Sequence, residues 1–152
     1  MKYTVRYAHL ESIPDLALNA IVSRGDIIGR IGTSGMSTAV HLHIGCVHCE
    51  HRDPWRMSQV ESFELVPALE QMAYFVDDEL FEYPIVITSY FADPAYLKQF
   101  KKLHMGYDVV PEDRHESDLH FNIRWNRSME GTVIAKGYDS GYGNYVHILF
   151  ET

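Results

Sequence analysis

The segment Val40-His41-Leu42-His43-Ile44-Gly45-Cys46-Val47 alternates polar and apolar side chains with a period of two, the pattern of a half-buried strand. Successive side chains of a strand project to opposite faces, so His41 and His43 share one face and Leu42 and Ile44 the other. Similar β-branched and aromatic runs occur at 3–10 and 83–91. Two more follow Gly131, ending in Tyr145-Val-His-Ile-Leu-Phe150 and joined by a Gly/Asp/Ser turn. Gly25, Gly29 and Gly32 punctuate a turn and short strand over 22–32, and 33–39, small and polar, reads as a loop. A mainly β chain with short helices is expected.

Two stretches break the β pattern. Residues 58–82 are acidic and contain the helix-compatible run Pro67-Ala-Leu-Glu-Gln-Met-Ala-Tyr-Phe75, with proline suited to a first helical position. This stretch is expected to be a connector outside the sheets. Asp93-Pro94 opens a second short helix, Asp93 serving as N-cap and Leu97 and Phe100 forming an apolar side. Residues 112–127, with His115, His120 and Trp125, read as an expanded loop. His147 falls in a strand pattern and is assigned a structural role.

The 152 residues amount to one domain, expected to span 1–152 with a core large enough to need no disulfide. A formal net charge of -8, without a basic stripe, argues against nucleic-acid binding. No run of 18 apolar residues exists to span a membrane, and Met1-Lys-Tyr-Thr-Val-Arg-Tyr7 has no apolar signal-peptide core. Cys46 and Cys49 form a lone Cys-x-x-Cys, which excludes a four-cysteine zinc knuckle. A site of these cysteines with His48 and His51 is the alternative to incidental or locally structural thiols.

Nine histidines matter through their spacing. The pair on the 40–47 strand suits a division of labour in which one imidazole binds a metal and its neighbour handles protons. His104-Met-Gly-Tyr-Asp108 offers a second group. A helix would set His104 and Asp108 at i, i+4, but Gly106 and the following Val109-Val110-Pro111 favour a turn entering a strand, with Gly106 permitting a tight path. Catalytic zinc takes three protein ligands plus a water. His104, Asp108 and one histidine of the pair would supply such a set.

In context, these fragments resemble the lysostaphin and LytM type of cell-wall endopeptidase. The likeness covers Tyr7-Ala-His-Leu10, Gly25-Asp-Ile-Ile-Gly29, Gly32-Thr-Ser-Gly-Met-Ser-Thr38 and His41-Leu-His43. In the other half it covers Ile87-Thr-Ser-Tyr-Phe91, His104-Met-Gly-Tyr-Asp108, Gly131-Thr-Val-Ile134 and Gly141-Tyr-Gly-Asn-Tyr-Val146. The resemblance implies antiparallel sheets of the family's type and Zn2+ held by His104, Asp108 and His43, with His41 and His9 as catalytic histidines. It also implies hydrolysis of peptide bonds in bacterial peptidoglycan by a metal-activated water. Ala39-Val40 and Ile44-Gly45, on either side of His41-Leu-His43, depart from the family's usual residues.

The halves stand in exchanged order. Residues 1–57 match the family's C-terminal half and 83–152 its N-terminal half, with 58–82 joining the original ends. A circular permutation is the natural reading, its break lying in a hairpin where residue 152 would otherwise lead into residue 1. A monomer is expected, with a dimer that exchanges halves as the alternative. The expected route to the wall is a phage particle, a phage lysis system or a larger parent polypeptide. The functional alternative is a catalytically inactive structural or wall-binding module of the same fold.

Overall fold

β1 (Lys2–Leu10) and β9 (Gly143–Glu151) pair antiparallel from Lys2↔Glu151 to Tyr7↔Val146 and form the spine of the molecule. The computed structural model describes residues 1–37, 39–53, 68, 70–101, 104–113 and 121–152. The other strands are β2 (Ile21–Val22), β3 (Ile27–Arg30), β4 (Leu42–Val47), β5 (Ile85–Ser89), β6 (Tyr107–Pro111), β7 (Asn122–Arg124) and β8 (Gly131–Asp139). Among the described residues they build a seven-stranded sheet in the order β2-β8-β9-β1-β4-β6-β5 and a two-stranded sheet of β3 and β7. Every pairing is antiparallel. The molecule is mainly β, and strands from 1–57 and 83–152 interleave in one sheet.

The pleat divides each central strand between two environments. Tyr3, Val5 and Tyr7 of β1, Leu42, Ile44 and Cys46 of β4, and Val146, Ile148 and Phe150 of β9 enter the apolar core. On the reverse face stand Thr4, Arg6, His43 and His147, all buried. Residues 49–52 strap over part of that face. The Thr4 hydroxyl donates to the Cys49 carbonyl (2.7 Å), His147 Nδ1 donates to the His51 carbonyl (2.9 Å), and Arg52 donates to the Ile134 carbonyl (2.8 Å). His147 is thus structural.

Residues 70–73 are helical, in keeping with the helix-compatible 67–75 run, and no described residue of the connector joins a sheet. Ala68, Met72, Phe75, Leu80 and Phe81 are buried in the main core, so the described part of the connector also packs into the fold. The spacing of Ala68, Met72 and Phe75 places one apolar stripe on a helical face. Phe75 meets Tyr7, Trp125 and Phe150 edge-on, at 6.4, 5.5 and 5.3 Å between centroids. Pro67 lies outside the described residues.

A difference from expectation falls in 112–127, read as an expanded loop, where Asn122–Arg124 is a strand paired with β3. Trp125 is fully buried and donates its Nε1–H to the Met129 carbonyl (2.7 Å). Its ring is too large an apolar surface to leave in a loop. His115 and His120 lie outside the described residues.

The helix α1 (Pro94–Phe100) begins as expected, with Asp93 accepting from the Ala95 N–H (3.0 Å). Its apolar side is not buried: Leu97 and Phe100 are 48% and 43% exposed. Instead Tyr96 stacks on the His104 ring at 4.3 Å. Among the described residues no helix is long and apolar enough to cross a membrane.

Candidate metal centre

Pairing of β4 with β6 sets His43 directly opposite Asp108. His104 precedes β6 by one turn, and its return path requires Gly106. A Cβ there would collide with the Ile44 carbonyl and stand 3.0 Å from the His43 ring, so close approach, not backbone conformation, demands glycine.

His43 Nδ1, His104 Nε2 and Asp108 Oδ1 form a nearly equilateral triangle, with edges of 3.1, 3.2 and 3.2 Å. Among the described residues this is the one group of three His, Cys, Asp or Glu side chains whose ligand atoms converge. Ligands at roughly 2.0–2.1 Å around a tetrahedral ion stand ~3.3 Å apart, so the triangle is nearly one face of such a tetrahedron. The His104 tautomer suits ligation. His104 Nδ1 faces the Tyr90 carbonyl at 2.8 Å, which only accepts, so in the neutral ring Nε2 carries a lone pair into the triangle. His43 Nδ1 faces the Asp108 carboxylate at 3.1 Å, while its buried Nε2 has no hydrogen-bond partner among the described residues. In the metal-free ring Nδ1 therefore donates to Asp108 and would give up that hydrogen to a cation. These side chains can hold a metal ion.

The site is buried on one side and open on the other. His104, His43 and His9 are 1%, 5% and 7% exposed, whereas the side chains of His41 and Asp108 retain 18% and 16%. The open side faces solvent. Desolvation holds His43 down at about 3, with the buried Arg6 guanidinium adding to the effect, so the ring is neutral and ready to ligate. Burial alone would raise Asp108, but hydrogen bonds from His104 and His43 outweigh it and keep the carboxyl ionised. Burial lowers His104 too, yet Asp108 and the Tyr90 carbonyl raise it on balance. A cation in the triangle competes with that proton, so binding is favoured as pH rises.

The other two histidines flank the triangle. His41, bridged to Gly32 at the entry to β4, places Nε2 3.6 Å from Asp108 Oδ1. Its Nδ1 lies 2.9 Å from the Ala39 carbonyl and 3.2 Å from Ser37 Oγ. His9 sits on a β-bulge, where the β1–β9 register shifts between Tyr7 and Leu10 and its own φ is 60°. The bulge turns its ring to the site, 4.8 Å from His41 and 6.2 Å from His43 between centroids. Burial lowers the His9 pKa despite the opposing Ser34 carbonyl.

His9, His41, His43, His104 and Asp108, named from the sequence, therefore meet within one chain. Sequence reasoning passed over their supports: Tyr90, Ser89 and Tyr96 around His104, Ser34 beside His9, and Arg6, whose guanidinium lies 3.6 Å from the Tyr142 ring centroid. Of these Ser34, Ser89 and Tyr90 lay within quoted motifs, whereas Arg6 and Tyr96 did not. The cysteine alternative fares differently. Cys46 points into the core and is raised by burial, and no disulfide joins it to Cys49. Cys49 and His51 belong instead to the strap over 49–52. Comparison of the chain with protein-family models, characterised proteins and solved structures yields no match.

Proposed function

We propose that the protein is a zinc-dependent endopeptidase of the lysostaphin and LytM type, acting on peptide links of bacterial peptidoglycan. The reading rests on one observation above all. Motif residues from both ends of the chain form a three-ligand triangle of the size zinc requires, with two further imidazoles at its edge. Two imidazoles and one carboxylate are a catalytic zinc donor set that leaves a position open. When bound, the ion polarises the scissile carbonyl and lowers the pKa of water toward ~7.

The chain's own residues supply the proton chemistry. The Ala39 carbonyl takes the Nδ1–H of His41, leaving Nε2 as a lone pair on the open side. His41 accepts the proton of the attacking water through Nε2, which stands 3.6 Å from Asp108 Oδ1. The same nitrogen returns the proton to the leaving amine. His9, neutral and with its Nδ1–H held by the Ser34 carbonyl, orients the water by accepting a hydrogen bond through Nε2.

The exchanged order of the halves is part of the proposal. Met1 and Thr152 are joined by reciprocal hydrogen bonds, from the Met1 amino group to the Thr152 carbonyl (2.9 Å) and from the Thr152 N–H to the Met1 carbonyl (3.0 Å). β9 and β1 thus stand as the arms of a hairpin, as a permutation with its break in that turn requires.

Metal analysis combined with hydrolysis of purified peptidoglycan tests the reading. The unmodified protein is expected to bind zinc and release peptides identifiable by mass spectrometry. His43→Ala should lose both metal and activity, whereas His41→Ala should keep zinc and lose roughly 10²–10⁴-fold in rate. Equal zinc loss in both variants would remove the assigned roles, and a protein without affinity for divalent metals would remove the function.

A further inference from the structure

We infer that Ser34 is a positioning residue for His9, setting which nitrogen of that imidazole faces the site; the catalytic consequence rests on the function proposed above. His9 Nδ1 stands 2.7 Å from the Ser34 carbonyl. A carbonyl only accepts, so Nδ1 carries the hydrogen and Nε2 is the nitrogen left for chemistry. Tautomer and ring orientation are therefore dictated by where that carbonyl sits.

The Ser34 side chain holds it there. Its hydroxyl donates to the Leu10 carbonyl (2.6 Å) and accepts from the Asn144 N–H (2.9 Å), tying the loop to both strands beside the bulge. The backbone of His9 is clamped from the same side, its N–H donating to the Tyr142 carbonyl (2.7 Å). Loop and hairpin turn are in direct backbone contact. Gly35 and Gly143 both have positive φ, and a Cβ on Gly143 would fall on the Ser34 backbone and hydroxyl, while one on Gly35 would fall on Gly143. Neither glycine has room for a side chain there. A left-handed backbone at a non-glycine residue persists only where its surroundings over-determine it, and here four hydrogen bonds and a glycine contact do so.

Nitrogen-resolved NMR of the histidine rings, on the metal-free protein and again with zinc added, reads the tautomer directly and without reference to turnover. In the unmodified protein His9 is expected as the Nδ1–H tautomer; a predominant Nε2–H form would overturn the inference with no variant made. Ser34→Ala should give mixed tautomers and lower kcat at least about tenfold, a part of the roughly 10²–10⁴ that acid–base groups supply, with little change in KM or bound zinc. Ser34→Thr, which keeps the hydroxyl, should restore both. A Ser34→Ala protein that folds with His9 in a single unchanged tautomer would also overturn it. If wild type shows the expected tautomer but cuts no wall, the proposed function fails while the positioning stands. If wild type cuts and the variant matches it in tautomer and kcat, the positioning fails and the function stands.

Discussion

Imidazoles buried as neutral rings have a consequence for stability that needs no metal. His43 and His147 are each held at about 3, chiefly by desolvation, against 6.5 for a free side chain. Unfolding takes up protons between those values. The stability these rings confer is therefore complete above about pH 6.5 and is lost as pH falls toward 3. His104 works in the opposite sense: its pKa is raised, so its contribution is complete at low pH and lost as pH rises through the folded value. Tm of the metal-free protein is expected to fall on acidification from pH 6.5 to 4, and His147→Gln to flatten the fall. An unchanged slope in that variant would show that His147 is not one of the responsible groups. The residue scale is also where sequence reading went furthest. Each of the five site residues carried its chemistry in its side chain, and the two-residue spacing of His41 and His43 already placed both on one face. Carbonyls such as those of Tyr90, Ala39 and Ser34 carry no such mark, because any residue type can present one.

Among the elements, the strands follow from alternation and their turns from glycine, and β1, β8 and β9 fall where the residue types indicate. The connector and the 121–125 segment were harder to read. An acidic stretch with an apolar stripe looks the same in sequence whether it crosses solvent or lies on a sheet, and Met72 and Phe75 become core residues only because a face is available. Phe75→Ala should destabilise the protein by ~3–5 kcal/mol in chemical denaturation, as expected for a buried aromatic truncated to alanine. A loss below about 1 kcal/mol would show that Phe75 adds little to the core. β7 illustrates the same limit at three residues, since Asn122–Arg124 has too few side chains to show a period.

For the molecule as a whole, the question is how ends and halves fit together. Residues 1 and 152 are hydrogen-bonded to each other just beyond the terminal pair Lys2↔Glu151 of two antiparallel strands. Joining them through a two-residue turn and opening the chain within 58–66 should yield a protein that retains the metal centre, measured by zinc affinity and by the NMR signature of His43 and His104. Loss of zinc binding in a relinked chain that still folds would show that the present order of halves is needed to form the site.

The amino-acid sequence by itself determined the mainly β character, the candidate ligands and the absence of a long apolar helix, because side-chain chemistry and a period of two are local properties. Only the tertiary structure decided that β4 and β6 run side by side in the register that sets His43 against Asp108, that a bulge swings His9 beside His41, and that a serine holds its ring. Those facts depend on contacts between residues tens of positions apart. Their geometry comes from the packing of a whole sheet, which no window of the chain contains.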